Sequence, residues 1–322
     1  MRYKFAFIGC GKIAHFHAEA IQHLGGRIEA VVAREHSVHL KPFAQKFQIP
    51  NRFERLQSFI QYAKQSKSID AIIVCTPWDV TENILKDLLS LNLPLLVEKP
   101  AVLSVQKLNS LKRLNLKNLC VAYNRRFYDF MPEVQKFIRQ NRLLCVDMLS
   151  ADPLEMIRVE LGPKVVKSIL YYYTTHIVDL MFFLLGEVKI SKIHAMTVKG
   201  KKSWVVEALA VQQQCPVQFK ILMDSPQNSY LKVFSQGEVL EICPFEKMRI
   251  YDRIDKIAEA GKNVYRPRIS REIGTSAELK PGFLNQMKYF MKNFVAQRNA
   301  SLKHIKELES ITNFCDRLKA AK

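Results

Sequence analysis

The sequence contains no hydrophobic run long enough to cross a bilayer. Its longest apolar stretch, residues 177–185, is interrupted by Asp179 and is much shorter than the roughly 20 residues that a membrane helix needs. The N-terminal stretch also lacks the cleavage pattern of a secretory signal peptide. We therefore expect a cytoplasmic protein that makes no membrane contact.

Closely spaced cysteines are missing as well. The seven cysteines are scattered along the chain and never form a CxxC pair, and several fall in apolar segments, where a reduced thiol behaves as a small hydrophobic side chain. The sequence therefore predicts neither a disulfide framework nor a zinc site, and it assigns no metal ligands.

Acidic residues are scarce relative to basic ones. Lysine and arginine together number 49 against 30 aspartates and glutamates, which gives a formal net charge of +19. A basic surface attracts nucleic acids, but this sequence has no compact basic tract and no helix-turn-helix, zinc-finger or RNP-type aromatic pattern. We expect a solvated basic surface and no nucleic-acid partner, while an anionic small substrate stays open.

The most informative segment that is present lies at the N-terminus. Residues 5–14 read FAFIGCGKIA, an apolar run that breaks into a glycine turn ahead of a helical pattern. Gly9 suits the tight turn after a buried strand, Gly11 lets the backbone approach a pyrophosphate, and Ala14 is small enough for a helix to pack on the sheet. The predicted cofactor contacts of this turn are Gly9, Cys10, Gly11, Lys12 and Ile13.

Two domains are expected from the length of 322 residues and from a change in the pattern of predicted elements. Apolar strands alternate with helices over residues 1–122, which predicts an α/β domain with a Rossmann-type, doubly wound parallel sheet. Residues 123–322 contain successive strand-like segments, which predict an α+β domain with an open, mainly antiparallel sheet. The helical segments at residues 282–294 and 302–318 are expected to return to the first domain.

Five landmarks follow one another along the chain. They are the glycine turn with His17 behind it, Thr76-Pro77, Glu98-Lys99-Pro100, Tyr123-Asn124-Arg125-Arg126-Phe127, and His176-Ile177-Val178-Asp179. In these features the sequence resembles the glucose-fructose oxidoreductase/inositol dehydrogenase (Gfo/Idh/MocA) family over nearly its whole length. The resemblance implies hydride transfer between a nicotinamide and a secondary alcohol or ketone of a sugar or nucleotide sugar.

Lys99 is the first catalytic candidate. Ligands of doubly wound folds bind at the carboxyl ends of the strands, where partial burial gives a lysine a useful pKa. The resemblance implies that Lys99 polarises the carbonyl, and that His176 or Tyr172 supplies the proton. Tyr172 stands where related enzymes usually carry a carboxylate, so a catalytically silent NAD(P)-binding regulator or scaffold is the alternative. Retention of both Lys99 and His176 argues against that alternative.

The resemblance also implies further contacts to the cofactor and to the substrate. The remaining cofactor contacts are Thr76, Pro77, Glu98 and Lys99. The expected substrate contacts are Lys99, Asn124, Arg125, His176 and Asp179, of which Asp179 also suits a structural role. A basic loop formed by Tyr265-Arg266-Pro267-Arg268 and Arg271 adds Arg266 and Arg268 as candidates for binding phosphate or carboxylate groups, with a merely solvated loop as the alternative.

The choice of cofactor depends on the residues after the second strand. NAD-binding folds place an acidic residue there to hold the adenosine ribose hydroxyls, whereas this chain carries Ala33-Arg34-Glu35. Arg34 suits the 2′-phosphate of NADP, and Glu35 keeps NAD open. We therefore expect NADP as the preferred cofactor, with NAD as the alternative, and a homodimer or homotetramer. The sequence indicates neither the exact substrate nor the hydride face.

Overall fold

The chain folds as two compact units, which a computed structural model describes for residues 3–259, 261–276, 278–297 and 303–321. The first unit contains Met1–Phe127 and Ala277–Asn313, and the second contains Tyr128–Ser276 and Phe314–Lys322. The first unit thus continues past the predicted boundary at residue 122. Two hydrogen bonds tie residues 124–127 to the C-terminal part of this unit: the Asn124 side chain donates to the Pro281 carbonyl (3.1 Å), and the Asn285 side chain donates to the Phe127 carbonyl (3.2 Å).

The first unit is built on a six-stranded parallel sheet of order β3-β2-β1-β4-β5-β6. Its strands are β1 (Lys4–Ile8), β2 (Arg27–Val32), β3 (Asn51–Phe53), β4 (Ala71–Val74), β5 (Leu95–Val97) and β6 (Leu119–Val121). The connecting helices are α1 (Lys12–His23), α2 (Leu40–Lys46), α3 (Leu56–Ser66), α4 (Trp78–Leu89) and α5 (Val105–Leu111), with 3-10 turns at Leu116–Asn118 and Asn124–Phe127. This arrangement confirms the predicted doubly wound sheet.

Helices cover both faces of this sheet because its central strands are apolar on both sides. In β1, Phe5 and Phe7 face one hydrophobic cluster, whereas Ala6 and Ile8 face another, and all four side chains are buried. Successive side chains of a strand point to opposite faces, so a continuous apolar run marks a strand buried between two helix layers.

The second unit is built on an eight-stranded sheet of order β14-β13-β12-β11-β7-β10-β9-β8. Its strands are β7 (Leu143–Asp152), β8 (Val188–Val198), β9 (Lys201–Ala210), β10 (Cys215–Met223), β11 (Tyr230–Ser235), β12 (Val239–Ile242), β13 (Lys247–Glu259) and β14 (Lys262–Gly274). Its helices are α6 (Met131–Gln140), α7 (Leu154–Leu161) and α8 (Thr175–Leu185), with a 3-10 segment at Pro163–Ser168 and a π-helical turn at Leu170–Thr174. The β7–β10 pair is parallel and the other described pairs are antiparallel, which confirms a mainly antiparallel sheet.

The predicted basic loop at residues 265–268 is wrong as a loop. These residues lie inside β14, which forms 12 residue pairs with β13, and each of the two strands is 13 residues long. The outer part of the hairpin is exposed on both faces, so its charged and apolar side chains follow no regular alternation. A sequence of that kind lacks the apolar periodicity by which strands are identified.

The C-terminal helices follow the second unit in sequence and add to the first. Helix α9 (Phe283–Phe290) and the π-helical turn Met291–Ala296 bury aromatic side chains in the same cluster as α1. Helix α10 (Lys303–Ala320) begins in the first unit, where Glu307 forms an ion pair with Arg126 (2.5 Å) and His304 shares a hydrogen bond with Tyr289 (2.7 Å). Leu302, the predicted start of this helix, lies outside the described residues.

Candidate functional site

The glycine turn is held tightly between the strands that flank it. The Gly9 N–H donates to the Val32 carbonyl (2.8 Å), and the Cys75 N–H donates to the Ile8 carbonyl (2.7 Å). Gly9 has a φ of +96°, and a β-carbon there would lie 2.5 Å from the Cys75 carbonyl oxygen. Both the backbone conformation and the space therefore require glycine.

Gly11 serves a different purpose from Gly9. It is the N-cap of α1, its φ is an ordinary −76°, and a β-carbon there would meet no heavy atom of the described residues within 4 Å. In the same described set, no side chain caps α1 and its first turn contains no acidic residue. Free amide groups and the helix dipole at this end favour an anion, so the turn fits the pyrophosphate of a dinucleotide.

The other predicted residues of the turn divide into backbone and side-chain roles. Cys10 is buried with its thiol 3.9 Å from the Ser37 hydroxyl, and Ile13 packs against the hydrophobic cluster under α1. Because both side chains pack against the protein, the backbone N–H groups of Cys10 and Ile13 are the atoms that suit a ligand. Lys12 is the first residue of α1 and places a positive charge there.

Thr76 and Pro77 lie at the carboxyl end of β4, where the structure gives them a turn-forming role. Pro77 is the N-cap of α4, and the hydroxyls of Thr76 and Thr81 are 2.8 Å apart. The Thr81 hydroxyl also donates to the Pro77 carbonyl (3.1 Å). These contacts fix the loop next to the glycine turn.

Glu98 and His17 form a buried pair that the sequence did not specify. Glu98 follows β5 and its carboxylate lies 2.8 Å from Nε2 of His17, whose side chain is fully buried and 4.7 Å from the ring of Phe283. The sequence contains one signal for this burial. Ala14, His17, Ala18 and Ile21 have the spacing of one helix face, and all four are buried in α1.

Lys99 is a strongly perturbed ionisable group of the candidate site in the first unit. Its side chain keeps some exposure, but burial of the ammonium group lowers its pKa from 10.5 to about 8. Glu98 opposes this effect, while the positive charges of Arg125 and Lys280 add to it. A lysine with such a pKa exchanges its proton near neutral pH, which is the property that proton transfer requires.

Lys280 is a site residue that sequence reasoning missed. Its ammonium group lies 4.5 Å from the ring centroid of Phe16 and 5.6 Å from that of Phe283, and burial lowers its pKa. The charges of Glu98 and Lys12 also act on it. Only the return of the C-terminal segment to the first unit brings Lys280 to this group, so no local pattern marks it.

Asn124 and Arg125 lie on the 3-10 turn Asn124–Phe127 of the first unit. The Asn124 side chain donates to the Pro281 carbonyl, so it ties this turn to the segment that carries Lys280. Arg125 acts on Lys99 through its charge. Their predicted contact with a substrate stays a prediction.

The candidates of the second unit lie at the start of α8. Tyr172 belongs to the π-helical turn Leu170–Thr174, a rare form that is frequent at functional sites, and His176 is the second residue of α8. Both side chains are partly exposed, whereas Asp179 is fully buried. Tyr171 is buried and donates its hydroxyl to Asp316, which distinguishes it from its neighbour Tyr172.

Arg266 and Arg268 carry their own counterions. Arg266 forms an ion pair with Glu259 (2.8 Å), and Arg268 binds Asp252 through two nitrogens, with Nε at 2.9 Å. Acidic partners on the same hairpin compete with an anionic substrate for these guanidinium groups. Their assignment as substrate contacts stays a prediction.

Membrane-spanning helices and metal-binding clusters are both absent from the described part of the chain. No helix there has the length and apolar character needed to span a bilayer. No group of three or more His, Cys, Asp or Glu side chains there is arranged to hold a metal ion.

Residues 3–124 match the model of a family described as "Oxidoreductase family, NAD-binding Rossmann fold". Inositol 2-dehydrogenase of Rhizobium meliloti (strain 1021) is 25% identical to this chain, over 59% of the chain and 57% of the relative. The match thus spans a little over half the length of that relative.

Solved structures that share the fold of the chain over nearly its full length include the following two. UDP-N-acetylglucosamine 3-dehydrogenase GnnA from Acidithiobacillus ferrooxidans has a TM-score of 0.74 at 13% identity and covers 100% of this chain and 98% of its own. An oxidoreductase from Agrobacterium radiobacter, in complex with NAD+, L-tartaric acid and magnesium, has a TM-score of 0.72 at 13% identity, with coverages of 100% and 95%.

Proposed function

Because this chain belongs to the Gfo/Idh/MocA oxidoreductase family, we propose that it is an NAD(P)-dependent dehydrogenase or reductase. Its reaction is the interconversion of a secondary alcohol and a ketone on a sugar or nucleotide sugar. The observation that carries the proposal is Lys99, a lysine at the carboxyl end of β5 whose pKa of about 8 suits proton transfer to and from a substrate oxygen.

The glycine turn supplies the binding site for the cofactor. The open space over Gly11 and the uncapped start of α1 fit a pyrophosphate, with Lys12 adding positive charge. Thr76, Pro77 and Glu98 hold the neighbouring strand ends in place, and Glu98 is itself fixed by His17. A bound nicotinamide supplies or accepts the hydride.

Lys99 interacts with the proton of the substrate oxygen in both directions of the reaction. In its protonated form it donates a hydrogen bond to a ketone oxygen and stabilises the negative charge that develops during reduction. In its neutral form it accepts the hydroxyl proton during oxidation. His176 and Tyr172 stay the candidates for a second proton-handling group, tested by His176→Asn and Tyr172→Phe.

The names of similar proteins support the substrate class, and two residues after β2 bear on the cofactor preference. The names of two relatives refer to an inositol and to a nucleotide sugar, which supports a polyhydroxylated substrate. Arg34, exposed after β2, supports NADP, and Glu35 beside it supports NAD. The cytoplasmic location and the homo-oligomeric state stay predictions from the sequence.

Titration of the purified protein with NADPH and with NADH, followed by nucleotide fluorescence, tests the proposal. We expect saturable binding by the wild type and by Lys99→Met, and turnover of a sugar or nucleotide sugar by the wild type alone. Absence of binding to either nucleotide would contradict the proposed activity. Binding without turnover across a broad panel of polyhydroxylated substrates would favour the catalytically silent alternative.

A further inference from the structure

A cleft of about 580 Å³ opens at the carboxyl ends of β2 and β3 in the first unit. Apolar side chains, Leu40 and Phe53, form part of its wall. The charged and hydroxyl-bearing residues that matter for its chemistry are Lys41, Arg52, Arg55, Glu35, Glu54 and Ser37. Cations therefore outnumber carboxylates among them by three to two.

The three cations of this cleft are available to a ligand. Across the residues that the structure describes, Lys41, Arg52 and Arg55 form no ion pair, although Glu35 and Glu54 line the same cleft. Arg55 is also the N-cap residue of α3, so the positive end of that helix dipole adds to the same wall. The cleft thus combines two guanidinium groups and an ammonium group, none of which forms an ion pair with a carboxylate of the described residues.

The cleft begins next to the glycine turn. Ser37, which lines it, has its hydroxyl 3.9 Å from the thiol of Cys10 in that turn. In dinucleotide-binding folds the adenosine ribose lies at the end of the second strand, where Glu35 also stands. Arg34, the residue that the sequence suggested for NADP, is not among the described residues that line the cleft.

We propose that Arg52, Arg55 and Lys41 bind the 2′-phosphate of NADP and thereby set the cofactor preference. A phosphomonoester carries close to two negative charges, and arginine binds it through paired hydrogen bonds. Glu35, which lines the same cleft, suits the adenosine ribose hydroxyls of NAD, where no 2′-phosphate is present. The proposal rests on the proposed function, because it requires that a dinucleotide binds at the glycine turn.

The test compares NADPH and NADH affinities of the double variant Arg52→Gln/Arg55→Gln with those of the wild type. We expect NADPH binding to weaken about ten- to a hundred-fold while NADH binding changes by no more than about twofold, since charged hydrogen bonds contribute most to the phosphate. Arg113→Gln, an exposed arginine beyond α5, is the matched control and should change neither affinity. Lys41→Met provides an independent variant if the double variant folds poorly.

Competition by small nucleotides tests whether the double variant acts on recognition of the 2′-phosphate. Adenosine 2′,5′-bisphosphate should displace the dinucleotide from the wild type more effectively than 5′-AMP does, and the double variant should lose that difference. Equal effects on NADPH and NADH, or a preference removed by Arg34→Gln and kept by the double variant, would overturn the assignment while leaving the proposed function intact. A wild type that binds neither dinucleotide would instead overturn both.

Discussion

The glycine turn of the first unit and the tip of the β13–β14 hairpin of the second unit both use glycine at a positive φ, but under different constraints. Gly9, at φ +96°, has the Cys75 carbonyl where its β-carbon would be, whereas Gly261, at φ +76°, has no heavy atom of the described residues within 4 Å of that position. The glycine turn is thus fixed by long-range packing, and the hairpin tip by the pairing of its own two strands. We therefore expect substitutions to have large effects in the first region and small ones in the second.

The largest effect is expected for Gly9→Ala measured against Gly261→Ala. The first change combines backbone strain with a contact to main-chain atoms that cannot move aside, so we expect a loss of about 3 kcal/mol or more in the free energy of unfolding. The second change adds only the strain of a positive φ, about 1 kcal/mol. Urea unfolding of both variants provides the measurement, and equal losses would show that the two turns are constrained alike.

Gly11→Ala separates the effect of the glycine turn on stability from its effect on dinucleotide binding. Gly11 has an ordinary φ and open space where a β-carbon would lie, so we expect unfolding free energy to change by less than about 1 kcal/mol. The same β-carbon would occupy the space that a pyrophosphate needs, so we expect dinucleotide affinity to fall about ten-fold or more. A variant that binds NADPH and NADH normally would show that the phosphates do not approach Gly11.

Sequence patterns predicted the elements whose side chains are buried in a regular pattern from one end to the other. The strand Phe5–Ile8 is apolar on both faces, so its run of hydrophobic residues could be identified directly. Strand β3 has only three residues, among them Asn51 and Arg52, and is too short to show an apolar periodicity. Its existence depends on pairing with β2, which no local pattern contains.

In the candidate site, too, short sequence motifs could be predicted, whereas contacts between distant segments could not. The glycine turn and Glu98-Lys99 are short motifs in which the chemistry needs neighbouring residues. Lys280 and the cations of the cleft at β2 and β3 depend on contacts between segments distant in sequence. The pairing of Arg268 with Asp252 likewise depends on hairpin register, so the sequence showed a basic segment without its counterions.

Two charged neighbours, Glu98 and Lys280, change the pKa of Lys99 in opposite directions. Lys280→Met removes a cation that lowers the pKa of Lys99, so that pKa should rise, and neutral Lys99 should become available for alcohol oxidation only at higher pH. Glu98→Gln removes the charge that favours the ammonium form, so the pKa should fall and the profile should move to lower pH. Shifts on the order of half a pH unit are expected in kcat/KM for oxidation.

The opposed signs separate a specific charge effect from general damage to the site. Structural disturbance would lower kcat/KM at every pH and leave the midpoint in place. The wild-type profile should rise with pH to a plateau above about pH 8, because Lys99 must lose its proton to accept another. Movement of both variants in the same direction would contradict the assignment of Lys99 as the titrating group.

The smallest effect is expected where the charges are exposed, in the hairpin. Arg268→Ala removes a guanidinium that pairs with Asp252 in solvent, where the gain of an ion pair is largely offset by hydration and by the entropy of two long side chains. We expect a change in unfolding free energy too small to separate from replicate scatter. A fall in kcat/KM with unchanged stability would instead place Arg268 against the substrate. The hairpin would then resemble the glycine turn, with function concentrated in a segment that contributes little to the core.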